Sequence, residues 1–361
     1  MHFCYVVNDN ASLMRASLPA RYLLRRGHSA NLIVITLPGQ EPHWYGGKAE
    51  GLTVHEVERA YGSGLRVRAL LEDIRPDVVH ALGTGRATFW PAYYYRRKRQ
   101  DALLVTDIDE QLSCVYGFPK NLLMRRWERK ALLHSDLAVV VSRAMEEKFR
   151  RLEPQARLGL LPNAVDLENF DRYRGKAEEV KARLGNRATV TYMGFLLARY
   201  QAEVVVDVAE MVARERPEVQ FVIIGRGPMK AQLEARAADK GLAETVRFTG
   251  FVADEEVPGY LCASDVLLFP IEDNEVNRAR SPNKVHQFCA AQVPIVTNRV
   301  GEVENTLGEH GVYYDFDSVE DCAAKVLAAL ASGKPRPPRE LAEANCWAHR
   351  TEQYLEMLGF E

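Results

Sequence analysis

No stretch of this sequence approaches the roughly 20 consecutive apolar residues that a membrane-spanning helix needs. The N-terminal MHFCYVVNDN lacks the long apolar core and the cleavage site of a secretory signal. Cysteine is scarce: Cys4, Cys114, Cys262, Cys289, Cys322 and Cys346 form no CxxC pair and stand beside no histidine cluster. Most sit in apolar surroundings and read as reduced core residues rather than disulfides or metal ligands. Excess charge is missing as well, since a formal net charge of -2 does not give the strongly basic surface of a general nucleic-acid binder. Among catalytic signatures there is no GxGxxG after the first strand, no GxxxxGK(S/T), no GxSxG and no HExxH. Low-complexity segments and short-period repeats are also lacking. These absences predict a soluble, cytoplasmic protein that does not bind nucleic acid.

What is present is a chain of 361 residues, 47% hydrophobic and 27% charged, which is too long for a typical single core and predicts two domains. Short apolar runs alternate with amphipathic stretches from end to end. Strands are predicted at 3–7, 30–35, 77–81, 102–108, 137–141, 188–193, 220–225, 245–250, 265–270 and 294–298. Most are continuously apolar, as strands covered on both faces are. Helices are predicted over 12–26, 64–74, 121–134, 142–152, 202–215, 228–240, 254–262 and 281–291. Repeated units of this kind predict an α/β fold with doubly wound parallel sheets. The pattern divides at LLPNAVDLENF (160–170), read as a linker between two Rossmann-like domains. A second, Pro-rich connector, SGKPRPPRE (332–340), leads to a last helix. That helix carries Leu341, Ala344, Trp347, Thr351, Tyr354, Leu355 and Leu358 on one face.

One stretch carries chemistry: RARSPNKVHQFCAAQVPIV, residues 278–296. Ser281 is a favoured N-cap and Pro282 suits the first helical position, so a helix should open there. Val285, Phe288 and Cys289 form its apolar stripe. Lys284 falls in the first turn, where the helix dipole disfavours a cation, and Arg278 and Arg280 lie just upstream. An anion at that helix end reverses the penalty, because free backbone N–H groups and three cations then face one negative group. The stretch therefore predicts a phosphate or diphosphate site. Elsewhere Gly225 and Gly227 of GRG follow a strand and open a helix. They allow two readings, backbone approach to a phosphate or a plain tight turn.

With these residues in view, the chain resembles a known family. LLPNAVDLENF, VTYMG (190–194), VIIGRGP (222–228), VRFTGFV (246–252), ASDVLLFP (263–270) and SPNKVHQFCAAQVPIVTNRVGEVE (281–304) follow one another in its order and spacing. YLLRRGH (22–28), RPDVVHA (75–81) and SDLAVVVS (135–142) match weaker patterns. The resemblance is to the GT-B retaining glycosyltransferases of family 4, the group 1 type. It implies an N-terminal acceptor domain over 1–165 and a nucleotide-sugar domain over 166–335. A terminal helix over 336–361, with Trp347 near its start, is implied to pack back on the first domain. It further implies transfer from a nucleotide-sugar to a glycan, lipid-linked or small-molecule acceptor, with retention of configuration, in polysaccharide biosynthesis. No cofactor is implied, the nucleotide-sugar being a substrate, and no metal, because protein cations meet the diphosphate.

Carried over residue by residue, the resemblance implies catalytic roles for Lys284, Arg199 and Asp109. It places donor contacts at Gly194, Gly225, Arg278, Arg280, Ser281, Asn283 and Gln287, and along the backbone at Phe251 and Val252. The first acidic donor ligand falls among Glu272, Asp273 and Glu275. Acceptor contacts fall on Asn8, Asn10, Asp107 and Glu110. Several positions depart from the family pattern. Gln287 replaces a ribose-holding glutamate, and Gln292 replaces a helix-ending glycine. Phe195 and Tyr200 stand where an arginine and a lysine are usual, with Arg199 one residue early, and Ile108 replaces a histidine. Asp107, Asp109 and Glu110 around it read equally as sugar ligands or as caps of the next helix.

Two other classes fit the same residues. One is another GT-B reaction, hydrolysis or epimerisation of a nucleotide-sugar; the other is a non-catalytic GT-B subunit. A peripheral contact with the inner face of the membrane is also expected from NLLMRRWERKALL (121–133). There Leu123, Met124, Trp127 and Ala131 share one face, and Arg125, Arg126, Arg129 and Lys130 share another. WPAYYYRRKRQ (90–100) adds aromatics beside basic residues. A packed surface helix with solvated arginines accounts for the same pattern.

Overall fold

The structure, a computed structural model, describes residues 1–8, 10–44, 46–333 and 335–360, apart from the side chains of Asn10, Ala11 and Arg199. The chain forms two compact units. The first comprises Met1–Asn163, Arg278–Ser281 and Trp347–Glu361; the second comprises Ala164–Asn277 and Pro282–Cys346.

In the first unit the strands are β1 (His2–Val7), β2 (Ser29–Thr36), β3 (Thr53–Glu58), β4 (Val78–Leu82), β5 (Leu103–Ile108), β6 (Leu137–Val140) and β7 (Leu158–Leu160). They pair in parallel in the order β3-β2-β1-β4-β5-β6-β7. Alternation along β1 sends Phe3, Tyr5 and Val7 to one face and Cys4 and Val6 to the other, and each face has its own core. On the first face Tyr354, Leu355 and Leu358, from the helix Trp347–Leu358, close over Phe3, Tyr5 and Leu13.

The second unit holds β8 (Thr189–Met193), β9 (Gln220–Ile224), β10 (Val246–Gly250), β11 (Val266–Phe269), β12 (Ile295–Thr297) and β13 (Gly311–Tyr313). They run parallel in the order β10-β9-β8-β11-β12-β13. Val205, Val208, Ala209 and Val212 of the helix Ala202–Glu215 cover one face of this sheet. Both units are thus doubly wound α/β sheets.

Three strands were not expected: β3, β7 and β13. Each is an edge strand, covered on fewer sides than a central one. Polar alternation in β3 (TVHEVE) and three-residue lengths in β7 and β13 hide them among loops. The last helix is also two helices, Arg339–Ala344 and Trp347–Leu358. The break falls where Asn345 offers its carbonyl to the Val165 N–H at 3.0 Å instead of continuing the helix. All six cysteines are free thiols, and burial pushes those of Cys289 and Cys322 up to about 12. Among the described residues no helix is long and apolar enough to cross a membrane.

Candidate functional site

In a parallel sheet the loops that can carry chemistry leave the carboxyl ends of the strands. In the second unit the loops after β8, β9 and β10 are sewn together by backbone bonds. Gly194 N–H donates to the Ile224 carbonyl at 2.9 Å, Leu196 N–H to that of Arg226 at 2.9 Å, and Gly225 N–H to that of Gly250 at 2.8 Å. Gly225 has φ +148, and a Cβ there would lie 1.8 Å from the Gly194 carbonyl oxygen; at Gly227 it would lie 2.3 Å from that of Leu196. The close approach these glycines permit within the structure is to the chain's own backbone. Beyond β10, Phe251 is 59% exposed and the Arg226 guanidinium carbon lies 5.2 Å from its ring centroid, whereas Val252 is buried.

The helix beside β11 runs Asn283–Ala291, two residues shorter at its start than expected. Pro282 occupies the N-cap with no side-chain cap bond. Ser281 does not cap: its Oγ accepts the Asn163 N–H at 3.0 Å and its carbonyl accepts Asn163 Nδ2–H at 2.7 Å. Ser281 is buried in this arrangement. Val285, Phe288 and Cys289 are buried as their spacing requires. Gln292 closes the helix in the left-handed conformation, φ 58 and ψ 37, that a glycine would take more cheaply.

Lys284 stands in the first turn with its ammonium between two aromatic rings. Nζ lies 5.5 Å from the Tyr200 ring centroid and 5.9 Å from that of Phe269. Phe269 ends β11 and Tyr200 lies in the loop after β8, so this cation sits at the carboxyl ends of adjacent strands. An ammonium in the first turn of a helix places a cation beside the helix N-terminus, and both favour an anion there. Asn283 and Gln287 lie one turn apart on the same helix, both half-buried. Arg278 and Arg280 belong to the first unit and Lys284 to the second. Of the acidic trio, Glu272 is half-buried, its carbonyl accepting Asn277 Nδ2–H at 2.9 Å, while Asp273 and Glu275 are exposed. The side chains of Arg199 and Asn10 lie outside the described residues.

In the first unit the structure corrects one assignment. Asp107, expected at the acceptor, is fully buried. Arg15 Nε–H donates to its Oδ2 at 2.8 Å, and His80 Nε2 lies 3.1 Å from the same oxygen. Burial acts to raise this carboxyl, yet Arg15 and His80 together hold it below the usual carboxylate range. Its Oδ1 is buried without a hydrogen-bond partner, so in the structure burial, and not only its two partners, keeps this carboxylate from sugar hydroxyls. Ile108 is buried beside it, Asp109 accepts Ser12 Oγ–H at 3.3 Å, and Glu110 is exposed. Asn8 gives its carbonyl to Arg59.

Sequence reasoning missed Arg15, His80, Asn163 and Glu128. Arg15 interrupts the apolar face of Leu13, Ala16, Ala20 and Leu23, and His80 interrupts a strand run. A lone charge within an apolar period is the signal that marks both. Glu128 is buried under two bonds from Ser113, backbone N–H at 2.9 Å and Oγ–H at 2.7 Å, and burial pushes its carboxyl up.

The helix expected at a membrane, Lys120–His134, turns differently from its assigned face. Met124, Glu128, Ala131 and Leu132 point inward, and Trp127 lies under the Arg86 guanidinium at 5.7 Å. The outward apolar residues are Leu122 and Leu123 near the start, with Phe118 just ahead, and Leu133 near the end. In the 90–100 stretch, Arg96 pairs with Asp136, Lys98 with Glu72 and Arg99 with Asp101.

Residues 187–332 match the family described as glycosyl transferases group 1, and residues 20–169 match glycosyltransferase family 4. The chain is similar to a GDP-mannose-dependent alpha-(1-6)-phosphatidylinositol monomannoside mannosyltransferase of Mycobacterium tuberculosis, 28% identical over 203 residues. That alignment covers 54% of this chain and 53% of the relative, so it spans about half the relative's length. A sulfoquinovosyl transferase of Arabidopsis thaliana is 24% identical over 368 residues, covering 94% of this chain and 69% of that one. Among solved structures, a sucrose-phosphate synthase of Thermosynechococcus elongatus superposes with TM-score 0.73 at 14% identity, covering 99% and 98% of the two chains. An Anabaena protein solved with UDP and glucose gives TM-score 0.73 at 15% identity, with 99% of each chain covered. The two parallel sheets and these neighbours define a GT-B fold.

Proposed function

From the premise that the chain belongs to the group 1, family 4 glycosyltransferases, we propose that it moves a sugar from a nucleotide-sugar donor to an acceptor hydroxyl with retention of configuration. The second unit would hold the donor and the first the acceptor. The observation that carries this reading is Lys284, an ammonium fixed between Tyr200 and Phe269 in the first turn of the helix Asn283–Ala291. As the bond from the anomeric carbon to the diphosphate oxygen breaks, negative charge grows on that oxygen. A fixed cation and a helix N-terminus stabilise it without reorganising. The acceptor oxygen bonds to the anomeric carbon on the face the diphosphate leaves, and its proton passes to the departing phosphate. The protein need then supply no nucleophile, and Lys284 supplies the charge a metal would otherwise bring.

The test is a panel of UDP-, GDP- and ADP-sugars followed by mass-detected release of the nucleoside diphosphate, with and without sugar acceptors. The reading predicts release that an acceptor accelerates, with the sugar found on the acceptor in its original anomeric configuration. Free sugar at a rate no acceptor changes would make the protein a hydrolase. No turnover, together with no rise in Tm with UDP or GDP, would leave a non-catalytic subunit.

A second reading concerns the acceptor, and it rests on Phe118, 82% exposed, beside Leu122 and Leu123 at 53% and 43%. Lys120, Arg125 and Arg126 flank them at one end of the helix Lys120–His134. Apolar tips ringed by cations suit an anionic bilayer surface. A lipid-linked acceptor at the inner face of a membrane gives such a surface a purpose. The mycobacterial relative, whose name specifies phosphatidylinositol monomannoside, supports this reading.

A further inference from the structure

The segment Arg278–Ser281 belongs to the first unit although both of its neighbours in sequence belong to the second. Buried bonds pin it at two points. Ser142 Oγ–H donates to the Ala279 carbonyl at 3.0 Å, and the same Oγ caps the helix Arg143–Leu152 by accepting Met145 N–H. Ser281 is gripped twice by Asn163, through its Oγ and through its carbonyl. Asn163 is fixed in turn. Its Oδ1 accepts Arg15 Nη1–H at 3.1 Å, while Arg15 Nη2–H donates to the Leu161 carbonyl at 2.7 Å. Arg15 is 3% exposed and locked by Asp107, and its guanidinium carbon lies 5.8 Å from the ring centroid of Trp347. One buried arginine therefore engages, directly or through Asn163, three places where the chain enters or leaves this unit: residues 161–163, Ser281 and Trp347.

From Ser281 onward the connection is covalent. Pro282, the next residue, is the N-cap of the helix Asn283–Ala291, and Lys284 follows two residues later. We infer that Arg15 and Asn163 are positioning residues for glycosyl transfer: they hold Ser281, the residue that precedes the N-cap of this helix, and so steady the chain three residues ahead of Lys284. Misplacement of a catalytic group by about 1 Å can cost on the order of 10²-fold in rate, so a grip on the residue preceding the N-cap has leverage on turnover. The inference rests on the reading of Lys284 as the group that meets the diphosphate. Neither Arg15 nor Asn163 touches the donor in this scheme.

The experiment uses the full chain and reads the grip separately from the chemistry. Hydrogen exchange is compared for wild type, Asn163→Ala, Ser281→Ala and Ser281→Thr. Asn163→Ala keeps the backbone N–H bond to Ser281 Oγ but loses the Nδ2–H bond to the Ser281 carbonyl and the Oδ1 bond from Arg15, and two lost hydrogen bonds correspond to about a tenfold rise in local opening. Peptides covering 283–290 should therefore exchange about tenfold faster in Asn163→Ala. Peptides within 202–215 should be unchanged, and Ser281→Thr, which keeps a hydroxyl, should stay near wild type. Unchanged protection of 283–290 in folded Asn163→Ala would overturn the inference, whatever Lys284 does. The second readout is kinetic. Asn163→Ala should lower kcat about tenfold, leave the Kd for UDP or GDP within about twofold, and add no further loss in a Lys284→Ala background. Losses that add fully would overturn the relay. Full turnover in Lys284→Ala would instead overturn the donor-site reading, leaving the exchange data to judge the grip.

Discussion

Gln292 adopts a left-handed conformation that costs a residue with a Cβ roughly 1–2 kcal/mol, partly repaid by its Oε1 accepting Arg174 Nη2–H at 3.4 Å. Gln292→Gly should raise stability by about 0.5–1 kcal/mol in denaturant unfolding, less than the full strain because glycine loosens the unfolded chain. A loss of stability would show that the Arg174 contact outweighs the strain. His80 sets a second expectation at this scale. Burial holds its pKa below the ordinary value against the pull of Asp107. Its geometry agrees with a neutral ring, with Nε2–H donating to Asp107 and Nδ1 accepting Tyr354 O–H at 2.9 Å. The unfolded chain takes up a proton near pH 6.5 that the folded chain refuses. Stability from neutral His80 is thus complete above that pH and is lost as pH falls through the lower folded value. Between pH 6.5 and 5 the wild type should lose up to about 1.4 kcal/mol per pH unit more than His80→Gln. Equal slopes would contradict this. Arg15, His80 and Asp107 were legible only as oddities in apolar runs, because their partners lie 27 to 274 residues away in sequence.

At the scale of elements, periodicity located the helix Lys120–His134, but the inward face was set by what the period cannot show. Glu128 turns inward because Ser113 satisfies its carboxylate there, and Leu122 and Leu123 turn outward in consequence. The membrane prediction moves with that face. In flotation with vesicles containing anionic phospholipid, the wild type should rise with the lipid at low salt and less so at moderate salt. Replacing Phe118, Leu122 and Leu123 together by Ser should abolish flotation without lowering Tm, since all three are exposed. Equal flotation of the variant, or none by wild type at either salt, would remove the bilayer as partner. The same logic explains the strands: central β1, β4, β8 and β11 were visible as apolar runs, whereas edge strands β3, β7 and β13 need no such composition.

Over the whole molecule, the order of motifs was enough to identify the fold, because each motif sits at a strand end whose place in a doubly wound sheet is dictated by the strand before it. That Arg278 and Arg280 belong to a different unit from Lys284 was not visible, since Arg278–Ser281 returns to the first unit in the middle of the second unit's sequence. That partition leaves Lys284 as the cation of the cluster within the second unit, and gives the account its central claim: this ammonium meets charge that grows as the sugar departs. With the donor identified by the nucleotide-sugar panel, the measurement is kcat and donor Kd for wild type and Lys284→Ala. The account predicts that kcat falls by about 10²–10³ while donor affinity weakens much less, because the interaction strengthens in the transition state. A Lys284→Ala protein with unchanged turnover and unchanged donor affinity would contradict it.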